Sequence, residues 1–215
     1  MKDKPTEWVS ISDLMAGVMA VVMLLLVISV LQRTFAEIKH KQEMEQGVAA
    51  QKKQLSSALN ELKASLQSQG SDELVSVDIN SGKITLRDNV FDRSSACITR
   101  QAQNAIHGIE SRITEFLQQN AHAQVVVEGH TDNLPVSRPV TDFARFCTVY
   151  DDNYTLSAAR AREARRLLIG GVASDQARRV IVAGYGDSHP LGNVQPSDSK
   201  NRRVEVHFVL QESRK

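Results

Sequence analysis

The longest hydrophobic stretch of this 215-residue chain runs from Leu14 to Leu31 and contains no charged residue. Together with the three residues before it, the stretch reaches the roughly 20 residues that one membrane-crossing helix needs. We therefore predict a transmembrane helix over residues 11–31, preceded by a short tail of residues 1–10. A cleaved signal peptide is the alternative. It is disfavoured because the run exceeds the apolar core of a signal and because Ser29–Arg33 has no small-x-small cleavage pattern.

Residues 32–70 are rich in Gln, Lys, Glu, Ala and Ser and contain no proline, a composition that is typical of a helix. Apolar residues recur in this connector with a seven-residue repeat: Val48, Leu55, Leu59, Leu62 and Leu66. Such a repeat predicts a short parallel coiled coil between two copies of the chain. The alternative is that the same leucines pack on the chain's own C-terminal domain.

Residues 71–215 alternate between short β-rich runs and helical patterns. Strands are expected at residues 74–79, 83–86, 124–128, 179–183 and 204–210, and helices at residues 98–117 and 157–169. The first of these helices has one apolar face, formed by Ala102, Ile106, Ile109, Ile113 and Phe116. The pattern predicts an α+β fold in which the helices lie over one sheet.

The composition excludes several classes of function. A formal net charge of +1 leaves no large basic surface, so we do not expect nucleic-acid binding. The two cysteines, Cys97 and Cys147, lie far apart and match no zinc-ligand spacing. No histidine lies in an H-E-x-x-H motif and no serine in a nucleophile motif. We therefore expect neither an enzyme nor a bound cofactor or metal.

Four motifs of the C-terminal part occur in a recognisable order: VEGHTDN at Val127–Asn133, YTLSAARA at Tyr154–Ala161, GYG at Gly184–Gly186 and NRRVEV at Asn201–Val206. Together they resemble the OmpA C-terminal domain family, which binds peptidoglycan. The resemblance implies a β-α-β-α-β domain over residues 71–215. This layout agrees with the pattern of strands and helices above.

In that family an aspartate after the Gly-x-Thr turn and an arginine on the following helix hold the diaminopimelate of the stem peptide. The matching residues here are Asp132 and Arg160. The resemblance implies that Asp132 takes the ammonium group and that Arg160 holds the carboxylate through two parallel N–H···O bonds, a geometry that lysine cannot reproduce. Thr131, Asn133 and Asn201 are expected to orient the pocket.

The stretch from Asn133 to Tyr154 is longer than the simplest pattern of the family, and we expect it to overhang the pocket. In an oxidising periplasm its cysteine, Cys147, is a candidate for a disulfide with Cys97 at the front of the first domain helix. Two separate thiols are the alternative, because the sequence does not give the distance between them.

The segment WVSISDLM at Trp8–Met15, followed by one span, a helical connector and an OmpA-like domain, resembles the MotB-like B subunits of ion-driven stator motors. The short tail and the Ser-Asp-Leu-Met sequence look most like ZorB of the Zorya anti-phage systems. The resemblance implies that Asp13 carries a proton, since membrane burial favours a neutral carboxyl group. Ser10 and Ser12 flank it as candidate helpers. The alternative is that Ser12 or Asp13 caps the helix.

The resemblance also implies partners, since one helix cannot enclose a proton path in lipid. They are a second copy of this chain and a ring of a multi-span MotA-like subunit, with peptidoglycan bound by the C-terminal domain. The expected location is the bacterial inner membrane, with the N-terminus cytoplasmic and the C-terminal domain periplasmic. A flagellar MotB-type stator subunit and a passive peptidoglycan tether without ion transport remain the alternatives.

Overall fold

A computed structural model of the chain describes the backbone of residues 7–210 and the side chains of residues 14–42 and 45–210. Its helices are α1 (Glu7–Ser68), α2 (Arg100–Gln119), α3 (Phe143–Phe146), α4 (Asn153–Leu168) and α5 (Ser174–Ala177). Its strands are β1 (Val75–Asp78), β2 (Lys83–Arg87), β3 (Gln124–His130), β4 (Val180–Gly184) and β5 (Arg203–Val209). The chain divides after Gln51, within α1, into two compact units.

The N-terminal unit consists of the first part of α1. The side chains of residues 14–31 are exposed on every side of the helix, and the large apolar ones range from Leu14 at 71% to Ile28 at 41%. A helix that is apolar on all sides fits a lipid surrounding rather than one face of a soluble core. Among the described residues, α1 is the one helix that is long and apolar enough to cross a membrane, judged by length and composition.

The C-terminal unit is built on a five-stranded sheet with the order β1-β2-β5-β3-β4. The β3–β4 pair is parallel and the other pairs are antiparallel. A parallel pair needs a crossover between its strands, which α4 supplies. The observed strands and helices confirm the predicted α+β class, in which helices lie over one sheet.

The core lies between the sheet and the helices on one of its faces. Alternate residues of β3 and β5 point into it, among them Val125, Val127, Val204 and Val206. The predicted apolar face of α2 is buried there at all five positions. Thr99 caps the start of α2, because its hydroxyl accepts a hydrogen bond from the Ala102 N–H. Asp152 caps the start of α4, because its carboxylate accepts one from the Thr155 N–H at 2.6 Å. Such caps satisfy backbone groups that a helix start leaves unpaired.

The leucines of the connector occupy this core, so the prediction that they form a seam between two chains is wrong for them. Leu59, Leu62 and Leu66 are each at most 3% exposed within the C-terminal unit, and Leu55 packs against them. Glu61 on the same helix forms an ion pair with Arg112 of α2, and its Oε2 lies 3.0 Å from Nη2 of the arginine. Spacings of three and four residues fit either a coiled coil or one face of a single helix, and here the chain's own domain covers that face.

We expect Leu59→Ala to reduce the free energy of unfolding by about 2–5 kcal/mol, because it leaves a cavity in a packed core. The loss should not depend on protein concentration. Denaturant titration of the full chain in detergent, followed by circular dichroism at two protein concentrations, measures both quantities. Val48→Ala, at an exposed position of α1 in the N-terminal unit, is the matched control. A loss that grows on dilution would instead favour an interchain seam.

Candidate functional site

Helix α4 packs unusually closely on the ends of β3 and β4, and two glycines permit this approach. A Cβ atom on Gly129 would overlap the backbone carbonyl of Ser157, and one on Gly184 would lie 2.6 Å from the Ala158 Cβ. No larger residue fits at either position without moving the helix. The glycines of the VEGHTDN and GYG motifs thus set the distance between α4 and the segment that follows β3.

Asp132 lies two residues after the end of β3 and is buried. One oxygen, Oδ1, accepts a hydrogen bond from the Leu134 N–H at 3.2 Å. The other, Oδ2, accepts one from Nη1 of Arg202 at 2.5 Å. The carboxylate is therefore held on both oxygens, by a turn on one side and by a guanidinium on the other.

Arg160 lies on α4 and is 2% exposed. Its Nε donates to the Ser95 carbonyl oxygen at 2.9 Å, and its Nη1 donates to Asp88 Oδ1 at 3.3 Å. The guanidinium also lies over the ring of Phe91, with Cζ 5.1 Å from the centroid. A buried cation needs such partners, because an unpaired one would not remain in the domain interior.

Asp88 and Arg202 link the two predicted binding residues into one chain of alternating charge. Arg202 donates to Asp132 through Nη1 and to Asp88 Oδ2 through Nη2, the latter at 2.8 Å. The order is Arg160, Asp88, Arg202, Asp132. Arg202 is not among the predicted pocket residues, but it pairs with both Asp132 and Asp88. Asp88 lies in a short 3₁₀ turn (Asp88–Val90) after β2, outside the four motifs that predicted the other residues of the site.

The four charged groups differ in exposure. The side chains of Arg160 and Asp132 are 3% and 7% exposed, whereas those of Asp88 and Arg202 are 34% and 31% exposed. Burial lowers the pKa of Arg160, and the Asp88 carboxylate partly offsets this. The hydrogen bond to Asp88 raises the pKa of Arg202, although its partial burial opposes the shift. We call the half-exposed Asp88 and Arg202 the outer pair and the buried Arg160 and Asp132 the inner pair. Each residue of the inner pair forms an ion pair with one residue of the outer pair.

The remaining predicted pocket residues have different positions. Thr131 is buried and its N–H donates to the Gly186 carbonyl at 2.8 Å, while its hydroxyl has no partner among the residues that the structure describes. Asn133 is exposed and its N–H donates to the Pro196 carbonyl. Asn201 is fully buried, and its amide holds the backbone of the preceding loop at Leu191, Gln195 and Pro196. Asn201 therefore fixes the backbone of the loop that leads into β5.

The long segment after Asn133 is fastened to the start of α2. Cys97 and Cys147 form a disulfide with Cα atoms 5.1 Å apart. Ser95, whose carbonyl accepts from Arg160, also donates its hydroxyl to the Phe146 carbonyl at 2.9 Å. Tyr150 donates its hydroxyl to the Ser94 carbonyl at 2.7 Å. The segment thus fixes the backbone on which the Arg160 guanidinium rests.

The residues predicted to carry or assist a proton lie elsewhere. Ser10, Ser12 and Asp13 fall within the backbone range of α1, and their side chains lie outside the part that the structure describes. Their roles stay predictions.

A model of the OmpA family matches residues 90–203, a range that includes α2, β3, α4 and β4 and ends at the start of β5. This chain belongs to the OmpA family. The family match covers Asp132, Arg160 and Arg202 of the site, whereas Asp88 lies just before its start.

Individual proteins are similar to this chain over part of its length. Motility protein B of Bacillus subtilis (strain 168) is 30% identical over 125 residues, which are 57% of this chain and 43% of that protein. The chain therefore matches less than half the length of this relative. The cell wall anchor of the T6SS from Pseudomonas aeruginosa is 27% identical and superposes with a TM-score of 0.50, over 70% of this chain and 97% of that one. A MotB-like protein from Desulfovibrio vulgaris, 18% identical, shares the fold with a TM-score of 0.57 over 76% and 98%.

We expect Gly129→Ala to lower the free energy of unfolding by about 2 kcal/mol or more, since its methyl group meets the backbone of α4. Gly192→Ala is the matched control, because a Cβ there meets nothing within 4 Å, and it should change stability by less than about 0.5 kcal/mol. Denaturant titration of the full chain compares the two variants. Equal effects would contradict the close approach.

Proposed function

We propose that the C-terminal domain binds peptidoglycan by gripping the zwitterionic end of a diaminopimelate side chain. The observation that carries the proposal is the buried Asp132 and Arg160, opposite charges joined by a second, half-exposed pair of opposite charges. A diaminopimelate end offers one ammonium and one carboxylate. It therefore presents the same two charges that Arg202 and Asp88 present to the inner pair.

Binding in this manner is an exchange of partners. The ligand ammonium would replace or join Arg202 at Asp132 Oδ2, and the ligand carboxylate would replace Asp88 at Arg160 Nη1. The new bonds to the ligand would be charge-assisted hydrogen bonds, which are stronger than neutral ones. When the ligand leaves, Arg202 and Asp88 would pair again with Asp132 and Arg160, so that no buried charge is left unpaired. The likeness to the T6SS cell wall anchor of Pseudomonas aeruginosa supports a wall ligand.

We expect Arg160→Lys to weaken binding to purified peptidoglycan about tenfold or more. Lysine keeps the charge but loses the planar set of donors that meets a carboxylate with two parallel bonds. Sedimentation of the full chain with purified sacculi, with free meso-diaminopimelate as competitor, measures the affinity. Arg166→Lys is the same substitution on the same helix at a 76% exposed side chain, and it should bind like the parent.

Arg160→Lys also removes the hydrogen bond from Nε to the Ser95 carbonyl oxygen, which could destabilise the domain. The melting temperature of this variant is therefore measured to separate loss of binding from loss of folding. Asp132→Asn is a second variant of nearly the same shape and should also bind weakly. Folded variants of both residues that sediment like the parent would refute this site.

The N-terminal unit is proposed to anchor the protein in the inner membrane. Residues 11–31 would cross the bilayer once, with the N-terminus in the cytoplasm and the domain in the periplasm, where peptidoglycan is found. The exposed apolar surface of α1 supports the span, and the Cys97–Cys147 disulfide supports an oxidising compartment.

We further propose that the chain is the B subunit of a proton-driven stator, as a dimer inside a ring of a multi-span MotA-like subunit. Asp13 would take up and release the proton, with Ser10 and Ser12 beside it. The identity to Motility protein B supports this class. Each proton that crosses contributes about 2.3 kcal/mol per 100 mV of membrane potential.

We expect Asp13→Asn to abolish proton flux across the membrane of vesicles that contain this chain and its multi-span partner. An amide, unlike a carboxylate, does not take up and release a proton near neutral pH. Asp13→Glu keeps the carboxyl group and should retain part of the flux. Fluorescence of a pH indicator inside the vesicles measures it. Peptidoglycan binding should be the same in both variants.

A passive tether is the second candidate, favoured by the similarity to a cell wall anchor. It predicts no flux in the parent. For the motor, the SDLM sequence at Ser12–Met15 favours a Zorya-like anti-phage role over a flagellar one. A helicase or nuclease gene beside a stator pair would support defence, and flagellar genes would support motility.

A further inference from the structure

The face of the sheet opposite the helices carries a cluster of metal-ligating side chains that the proposed site does not use. Because side chains alternate along a strand, the core positions Val204, Val206 and Phe208 of β5 leave Glu205 and His207 on the other face. On β3 the same alternation places Glu128 there. Glu128 and Glu205 are direct partners across the β3–β5 ladder.

The three side chains converge on one point. Nε2 of His207 lies 3.0 Å from Glu205 Oε2 and 3.4 Å from Glu128 Oε2. All three ligand atoms lie within 4.8 Å of one another. Zinc binds nitrogen and oxygen ligands at about 2.0–2.2 Å in tetrahedral geometry, so its ligand atoms lie roughly 3.3 Å apart. The His207 distances match this spacing.

The two oxygens of Glu205 have separate partners. Oε1 accepts from Arg203 Nε at 2.6 Å and pairs with Lys83 Nζ at 3.1 Å. Oε2 is left to face His207. The contacts of Oε1 with Arg203 and Lys83 orient the carboxylate so that Oε2 is turned toward the cluster.

A fourth side chain, His130, gives a second and independent observation beside this cluster. His130 is 3% exposed, and neither of its ring nitrogens has a hydrogen-bond partner among the described residues. Its Nε2 lies 3.9 Å from Glu128 Oε2. Its ring stacks on Tyr185 at 5.4 Å between centroids, with 12° between the ring planes. Buried polar atoms without a partner are rare and need an explanation, such as an ion or a water.

We propose that this face binds one divalent transition metal ion of the zinc class, through His207 Nε2, Glu205 Oε2 and Glu128 Oε2. Water or His130 completes the coordination. Imidazole with carboxylate favours zinc and its neighbours over magnesium and calcium, which prefer oxygen ligands alone. Lys83 and Arg203 oppose the added positive charge, but both lie on the far oxygen of Glu205.

The ion would tie β3 to β5 next to the peptidoglycan site. His130 at the end of β3 is two residues before Asp132, and Arg203 at the start of β5 directly follows Arg202. The competing occupant of the cluster is a proton: a charged His207 would bridge the two carboxylates without any metal. The proposal concerns residues outside the peptidoglycan site and does not rest on that function.

The test is zinc titration of the chelator-treated full chain in detergent by isothermal calorimetry, near neutral pH. We expect one ion per chain in the parent and binding at least tenfold weaker in His207→Ala. His122→Ala, at an exposed histidine before the other end of β3, should bind like the parent. Cobalt as a probe should give the visible absorption of a four-coordinate site, which His207→Ala loses.

Glu128→Gln is a second variant in case His207→Ala does not fold, and circular dichroism verifies each protein. It should also weaken zinc binding at least tenfold. Absence of zinc uptake by the parent would overturn the proposal and leave the protonated histidine. Equal zinc affinities in the parent, the folded His207→Ala variant and Glu128→Gln would overturn it as well. Peptidoglycan sedimentation of the same samples keeps this outcome separate from failure of the wall-binding proposal.

Discussion

The candidate site depends on the burial of one cation, the guanidinium of Arg160. An unpaired charge at 2% exposure would be too costly, so the domain must bring partners to it from distant parts of the chain. Ser95 comes from the segment before α2, Asp88 from the turn after β2 and, through Asp88, Arg202 from the loop before β5. The sheet, the disulfide-linked segment and α4 all contribute to satisfying this charge.

The fold makes this convergence feasible through close backbone packing. Gly129 and Gly184 let α4 rest directly on the ends of two parallel strands, which brings Arg160 near the segment that follows β3. The disulfide between Cys97 and Cys147 and the hydrogen bond from Tyr150 hold the carbonyls of residues 94–95 in place. A rigid frame of this kind suits the recognition of two charges at a fixed separation.

The two faces of the sheet have different chemistry. One face is an apolar core that also includes the end of α1, so the connector from Lys52 onward is part of the domain rather than a separate stalk. The other face carries a set of side chains linked by ion pairs: Lys83, Arg203 and His207 each pair with Glu205, and His207 also pairs with Glu128. Strand alternation alone separates these sets, because successive side chains point to opposite faces.

The sequence by itself determined the apolar run of α1 and the order of strands and helices, because hydrophobic periodicity is encoded within short segments. Local motifs also identified Asp132 and Arg160 as candidate site residues. The sequence left the leucines of α1 ambiguous, since one spacing fits two kinds of packing, and it did not distinguish a disulfide from two thiols. Only the tertiary structure decided that the leucines face their own domain, that Asp88 and Arg202 connect the site, and that two glutamates meet His207. These are contacts between residues up to 114 positions apart, which chain folding creates and no local pattern records.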